Sequence, residues 1–214
     1  MSPPDKRRPL VVTDCDEVLI RMVGHFRDWL HEETDVRFHM EGADFSTAMR
    51  DRTTDEPIEQ AEIWRLLNLF FDSEMARQDA LPGAVEAIRT LSEHADVVVL
   101  TNLKDHRRDD RAEQLRALGL DLEIYTNQGP KGPALAKIVE AHRPSLTIFI
   151  DDLPQHHASA AADAPDTIRL HLCGEPLLAP HIDCAHAAGH AHARIDTWDE
   201  ALPWLLDRLK ETAR

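Results

Sequence analysis

The chain has 214 residues, 43% hydrophobic and 29% charged, a balance that suits one soluble domain, or one with an insert, and excludes wholesale disorder. Its 24 Lys and Arg against 39 Asp and Glu leave a formal charge of −15, which repels phosphate backbones and argues against nucleic acid as a partner. No apolar run approaches the ~18 residues of a membrane span, so no membrane partner is expected.

Lys6, Arg7 and Arg8 precede Leu10-Val11-Val12, but Asp14 and Asp16 interrupt that apolar run at once, so it is no signal-peptide core. Cys15, Cys173 and Cys184 are too few and too scattered for a disulfide framework and suit a reducing cytoplasm. The first predicted strand is Leu10–Thr13. After Ile20, about 60 residues carry no strand signal. Leu19, Met22, Val23, Phe26 and Leu30 fall at helical spacing there, as do Trp64, Leu67, Phe71 and Met75. The segment between them, Arg37–Asp55, is polar and reads as loop.

The strand–helix rhythm restarts at Leu81-Pro82-Gly83. A helix is predicted from Pro82 through Ile88 and Leu91, then a strand at Val97–Thr101 and a helix over Arg108–Leu118 that Gly119 stops. A weaker strand at Leu122–Tyr125, a helix at Ala134–Ala141, strands at Leu146–Ile150 and Ile168–Leu172, and a helix at Trp198–Leu209 complete the series. Most strand runs are continuously apolar, as strands covered on both faces are. The expected fold is α/β: a Rossmann-like parallel sheet with helices on both faces and a small helical cap inserted after the first strand. Residues 1–20 and 80–214 would form the core, and residues 21–79 the cap.

In a parallel sheet, ligands bind beyond the carboxyl ends of the strands. Those ends read Asp14-Cys15-Asp16, Thr101-Asn102 and Asp151-Asp152, with Lys131 just before the helix that leads into Leu146–Ile150. Asp14 and Asp16, two apart, point to one side, and with Asp151 and Asp152 would crowd four carboxylates into one cleft. Like charges so close need compensation. An all-oxygen ligand set favours Mg2+ over zinc or copper. Lys131 adds a positive charge, and the Thr101 hydroxyl and Asn102 amide add donors. The set suits an anion with several oxygens, phosphate above all.

Asp14-Cys15-Asp16-Glu17-Val18, Thr101, Lys131 and Asp151-Asp152 resemble the four motifs of the haloacid dehalogenase superfamily, in order and each after its expected element. The insert resembles that superfamily's C1 cap. The resemblance spans Leu10 to about Ala162 and implies a role for each position. Asp14 would be the nucleophile that forms an aspartyl-phosphate, and Asp16 the general acid and then base. Thr101, with Asn102 beside it, would bind the transferring phosphoryl group. Lys131 would neutralise nucleophile and phosphate. Asp152 would ligate Mg2+ directly with Asp151 behind it, joined by the Asp14 side chain and the Asp16 carbonyl. Dehalogenases of the superfamily lack the second Asp of the first motif, so Asp16 favours phosphate transfer.

The expected function is a Mg2+-dependent phosphatase acting on a small phosphorylated metabolite. The alternatives are a phosphoryl-transfer relative of the sugar phosphomutase kind and a non-catalytic phospho-ligand module. Glu17 stands where many capped members carry Gly, and either stiffens the hinge into the cap or faces the substrate. His156 reads as a surface or helix-start histidine, or else as a contact to the metal site. Cys15, pointing into the sheet, reads as a structural thiol. The run Lys104–Arg111 reads as a solvated helix start, with Lys104 or Arg107 as alternative substrate contacts. His181, His186, His190 and His192 read as a solvated loop, with a soft-metal site as the alternative. Arg21, His25, Arg50 and Arg52 are the polar cap candidates for substrate choice.

Overall fold

A computed structural model describes residues 7–40 and 47–211; Lys6 and residues 41–46 of the expected cap lie outside them. Six parallel strands form one sheet in the order β5-β4-β1-β6-β7-β8. They are β1 (Leu10–Thr13), β4 (Asp96–Thr101), β5 (Glu123–Thr126), β6 (Thr147–Asp151), β7 (Ile168–His171) and β8 (Ala193–Arg194). The central β1 pairs with both neighbours, Leu10 lying opposite Asp96 on one side and Thr147 on the other.

Side chains alternate across these strands, and both faces are apolar. Val11, Val97, Val99, Ile148 and Ile150 pack on one face against α3 (Ala84–His94), α4 (Arg108–Ala117) and α7 (Trp198–Glu211). Leu10, Val12, Val98, Leu100 and Phe149 pack on the other against α5 (Gly132–His142) and α6 (Pro154–Asp163). Burial on both sides is why the strand runs read as continuously apolar. Trp198, buried on α7, donates its Nε1–H to the Val18 carbonyl at 2.7 Å. Gly83 has a φ of +77°, which favours glycine, and a Cβ there would make a tight 3.2 Å contact with the Trp198 Cβ.

Between β1 and α3 the chain makes an inserted layer: α1 (Met22–Glu33), an antiparallel hairpin of β2 (Val36–Phe38) and β3 (Met49–Asp51), and α2 (Gln60–Glu74). The hairpin corrects the expectation of a polar loop and a purely helical insert. Its strands are three residues each and half-exposed, too short to show alternation. Phe26, Trp29, Leu30, Met49, Leu66 and Phe70 give the insert its own apolar cluster. Phe70 meets Phe26 edge-on at 5.1 Å and Trp29 at 5.7 Å, pairings that add about 0.5–1.5 kcal/mol each beyond burial. The outgoing and returning chains pair as a narrow neck: Arg21 N–H donates to the Asp79 carbonyl at 2.9 Å and Leu81 N–H to the Leu19 carbonyl at 2.8 Å. Among the described residues no helix is long and apolar enough to cross a membrane.

Two further elements differ from expectation. The helix α6 begins two residues after Asp152; its sequence PQHHASAAAD has no apolar stripe, so periodicity could not show it. The last strand, β8, is two residues long. It forms because the histidine-bearing segment before it docks on β7: His192 N–H donates to the Arg169 carbonyl, and Arg169 N–H to His192 Nδ1.

Candidate active site

The carboxyl ends of β1 and β6 lie side by side, and they bring Asp14, Asp151 and Asp152 together. One ligand oxygen from each falls within 4.8 Å of the others, and all three residues are buried. Lys131, at the start of α5 and wholly buried, reaches into the cluster: its Nζ lies 2.8 Å from Asp14 Oδ1 and 2.7 Å from Asp151 Oδ2. Asp14 Oδ1 also accepts the Cys15 N–H at 2.7 Å, and Asp151 Oδ1 accepts the Leu153 N–H at 2.9 Å. Both oxygens of Asp151 are thus committed. The Asp152 carboxylate accepts no hydrogen bond among the described residues.

One ammonium does not balance three carboxylates, and the electrostatics show it. Burial pushes Asp14 up to about 7, with Lys131 pulling the other way and Asp151 and Asp16 adding to the rise. Asp152 is pushed well above its ordinary value by burial and by its anionic neighbours Asp151 and Asp14. Asp151 stays below the usual carboxylate range: burial opposes this, but Lys131 and the adjacent histidines outweigh it. A buried, unpartnered carboxylate beside two others, with oxygen donors alone, is a fit for a hard divalent cation.

Two buried histidines that sequence reasoning passed over hold the Asp151-Asp152 backbone. His171 Nδ1 accepts the Ala185 N–H at 3.1 Å, so its Nε2 carries the proton and donates to the Asp152 carbonyl at 2.7 Å. His157 Nε2 donates to the Asp151 carbonyl at 2.9 Å, and burial drives this imidazole down to about 4, keeping it neutral. His156 is not a surface residue. It is buried at the start of α6 with Nδ1 unpartnered, and its Nε2 lies 3.4 Å from the Asn102 amide nitrogen.

The fourth expected carboxylate stands apart. Asp16 is not among the three side chains that converge, and its Oδ1 accepts a hydrogen bond from Arg111 NH2 at 2.8 Å. Thr101 ends β4 in a buried position. Asn102 is exposed; its amide donates to the Gly129 carbonyl at 2.9 Å and its oxygen accepts from Asn127 at 2.8 Å. Asn102 is therefore tied to the loop before α5.

The charged run after β4 is only partly solvated. Arg107 and Arg111 are buried, contrary to the expectation of a solvated helix start. Lys104 and Arg107 meet the insert: Lys104 Nζ lies 2.9 Å from Asn68 Oδ1, and Arg107 pairs with Asp72 at 2.6 Å. The four polar candidates of the insert are also committed. Arg21 pairs with Glu175 at 2.8 Å and His25 with Asp79 at 3.2 Å, Arg50 donates to the Asp55 carbonyl, and Arg52 donates to the His31 carbonyl.

Glu17 sits where the chain leaves β1, at φ +60°, a left-handed conformation that favours glycine. Its carboxyl is buried and caps α1 by accepting the Val23 N–H at 2.6 Å, while Oε2 has no partner. The N-cap position itself, Arg21, makes no side-chain cap. Burial raises the Glu17 carboxyl well above its ordinary value. Cys15 is a buried thiol packed in the core and pushed up to about 12 by burial. Among the described residues, Asp14, Asp151 and Asp152 are the one group of metal-ligating side chains close enough to share an ion. His186 donates from Nδ1 to the Ala191 carbonyl.

No protein-family model and no curated protein matches the chain. Solved structures do. A HAD family hydrolase from Deinococcus radiodurans R1, solved with bound phosphate and sodium, superimposes with a TM-score of 0.64 at 19% identity over 98% of each chain. A conserved haloacid dehalogenase-like protein from Agrobacterium tumefaciens gives 0.65 at 16% identity, covering 94% of this chain and 98% of that one. A protein predicted to be a phosphoglycolate phosphatase, from Haemophilus somnus 129PT, gives 0.61 at 13% identity, covering 95% and 100%. The chain has the fold of these haloacid dehalogenase-like structures.

Proposed function

We propose that the protein is a phosphatase that hydrolyses a small phosphomonoester through an aspartyl-phosphate on Asp14. The observation that carries this reading is the buried cluster of Asp14, Asp151 and Asp152 on Lys131, at the carboxyl edge of a parallel sheet. A structure of the same fold that holds phosphate supports it.

In the first half-reaction, Asp14 attacks phosphorus as the bond to the leaving oxygen breaks, and Asp16 gives that oxygen its proton. In the second, Asp16 takes a proton from water, the water oxygen attacks phosphorus, and Asp14 leaves as carboxylate. Lys131 holds Asp14 by its Oδ1 and offsets the charge of the phosphoryl oxygens, with Thr101 and Asn102 flanking them. Asp14, Asp152 and the Asp16 carbonyl would hold Mg2+, with Asp151 braced behind by Lys131 and Leu153. When bound, Mg2+ supplies the positive charge that keeps the buried carboxylates ionised and offsets the phosphate's own.

Residues 21–79 act in this reading as a cap that covers the site and excludes water competing with the leaving group. The acidic surface and the three unpaired cysteines suit a cytoplasmic enzyme for small metabolites rather than nucleic acid. The test is phosphate release from a panel of small phosphomonoesters, with and without Mg2+, by wild type and Asp14→Asn. Mg2+-dependent release that Asp14→Asn abolishes is the expected result. Isomerisation of a sugar phosphate without phosphate release would replace this reading with a mutase.

A further inference from the structure

Arg111 is fully buried, and one of its donors is left without a partner. Its NH2 lies 2.8 Å from Asp16 Oδ1, its NH1 3.0 Å from Gln114 Oε1 and 3.5 Å from Gln78 Oε1, and its Nε has no partner. Phe71 of the insert walls the pocket, 6.0 Å from the guanidinium. A buried guanidinium with an orphaned N–H is destabilising relative to a well-packed apolar side chain. Stability alone therefore gives no reason for an arginine here. What the arginine does is hold one carboxylate. Asp16 would otherwise be a short side chain, a fifth exposed, beside the anionic Asp14 that repels it.

We infer that Arg111 is a positioning residue for Asp16: it grips Oδ1, fixes the plane of the carboxyl, and leaves Oδ2 as the atom that gives and takes the proton. The inference rests on the phosphatase reading and deepens it. In the first half-reaction Oδ2–H passes its proton to the leaving oxygen as that oxygen's bond to phosphorus breaks. Asp16 is then a carboxylate, offset by Arg111. In the second, Oδ2 accepts the proton of the attacking water and Asp16 is restored. Arg111 keeps its own protons throughout, because guanidinium does not titrate in this range. Its pocket is closed by Gln78 and Phe71, from the returning chain and α2, so the seating of the insert also sets the pose of Asp16.

The experiment compares kcat/KM for an alkyl phosphate and for p-nitrophenyl phosphate, using wild type, Arg111→Met, Arg111→Lys, Asp16→Asn and the Arg111→Met/Asp16→Asn double variant. The ratio kcat/KM covers the steps up to departure of the leaving group. An alkoxide needs a proton at that moment and p-nitrophenolate does not. Arg111→Met is expected to lower the alkyl value on the order of 10²-fold and the aryl value by less than about ten-fold. The double variant is expected to be no worse than Asp16→Asn alone on the alkyl ester. Equal losses on both esters, or losses that multiply in the double variant, overturn the inference while the phosphatase reading stands. Wild type that releases phosphate from no member of the phosphomonoester panel overturns that reading, and this inference falls with it. If Arg111→Met does not fold, Arg111→Lys keeps the buried charge and decides by the same alkyl-to-aryl ratio.

Discussion

Among the described residues Lys131 is the one cation paired with the three-carboxylate cluster, so its removal should be felt in stability before activity is considered. Lys131→Met keeps the stem and deletes the charge, breaking ion pairs of 2.8 and 2.7 Å to Asp14 and Asp151. Removing one partner of a buried pair costs roughly 3–5 kcal/mol. A chain of this length unfolds with an entropy of about 0.45 kcal/mol per degree, so the melting temperature should fall by roughly 7–11 °C in metal-free buffer. The loss should depend on pH in a defined sense. Asp151 is held low in the fold, so the stability it contributes is present above its unfolded value near 3.8 and disappears as pH falls through the folded value. Asp14 lies at about 7 when folded, above its unfolded value, so its ionisation destabilises the fold as pH rises through that range. Without Lys131 it moves higher still and both carboxylates lose their counter-charge. The variant's deficit should therefore be larger at pH 8 than at pH 5. Calorimetric melting of wild type and variant in chelator at both values checks this, and a pH-independent deficit, or none, refutes the electrostatic account of the cluster.

Mg2+ at about one hundred times its dissociation constant should stabilise wild type by about 2.7 kcal/mol, and Asp152→Asn should abolish that rise in thermal melts. Glu17→Ala loses the cap of α1 but keeps the left-handed backbone, and should cost about 1–2 kcal/mol. Glu17→Gly loses the same cap yet tolerates φ +60°, so urea unfolding should find it about 1 kcal/mol more stable than Glu17→Ala. Arg107→Ala removes a pair whose Asp72 partner is half-exposed and should cost only about 1 kcal/mol after solvent screening. Its signature is local: faster amide exchange in the second half of α2 with β1 unchanged.

The sheet was legible because both its faces are covered, so β-branched runs such as Val97–Thr101 and Leu146–Ile150 stand out from the helices between them. The cluster of Asp14, Asp151, Asp152 and Lys131 was legible for a related reason: strand ends in a parallel sheet share one edge, so polar residues that end apolar runs converge. Arg111 was not. It sits in a run of charges that composition alone reads as solvated, and its partner Asp16 is 95 residues away in sequence. The β2–β3 hairpin and α6 were hidden by shortness in one case and by a near absence of large apolar side chains in the other. His157 and His171 gave no signal, because their targets are backbone carbonyls rather than side chains.

The bond from Trp198 to the Val18 carbonyl ties the turn after β1 to α7. Val18 belongs to the turn that follows β1, and β1 itself needs β4 and β6 on either side before both of its edges are paired. During synthesis, therefore, the segment bearing Asp14 emerges well before the strands and the indole that complete it. It stays open until β6 has arrived, and its turn lacks its buried donor until the indole of Trp198 has emerged. The acidic cluster is assembled only once Asp151 and Asp152 have emerged, and a truncated product lacking α7 carries the motif without the indole donor to its turn.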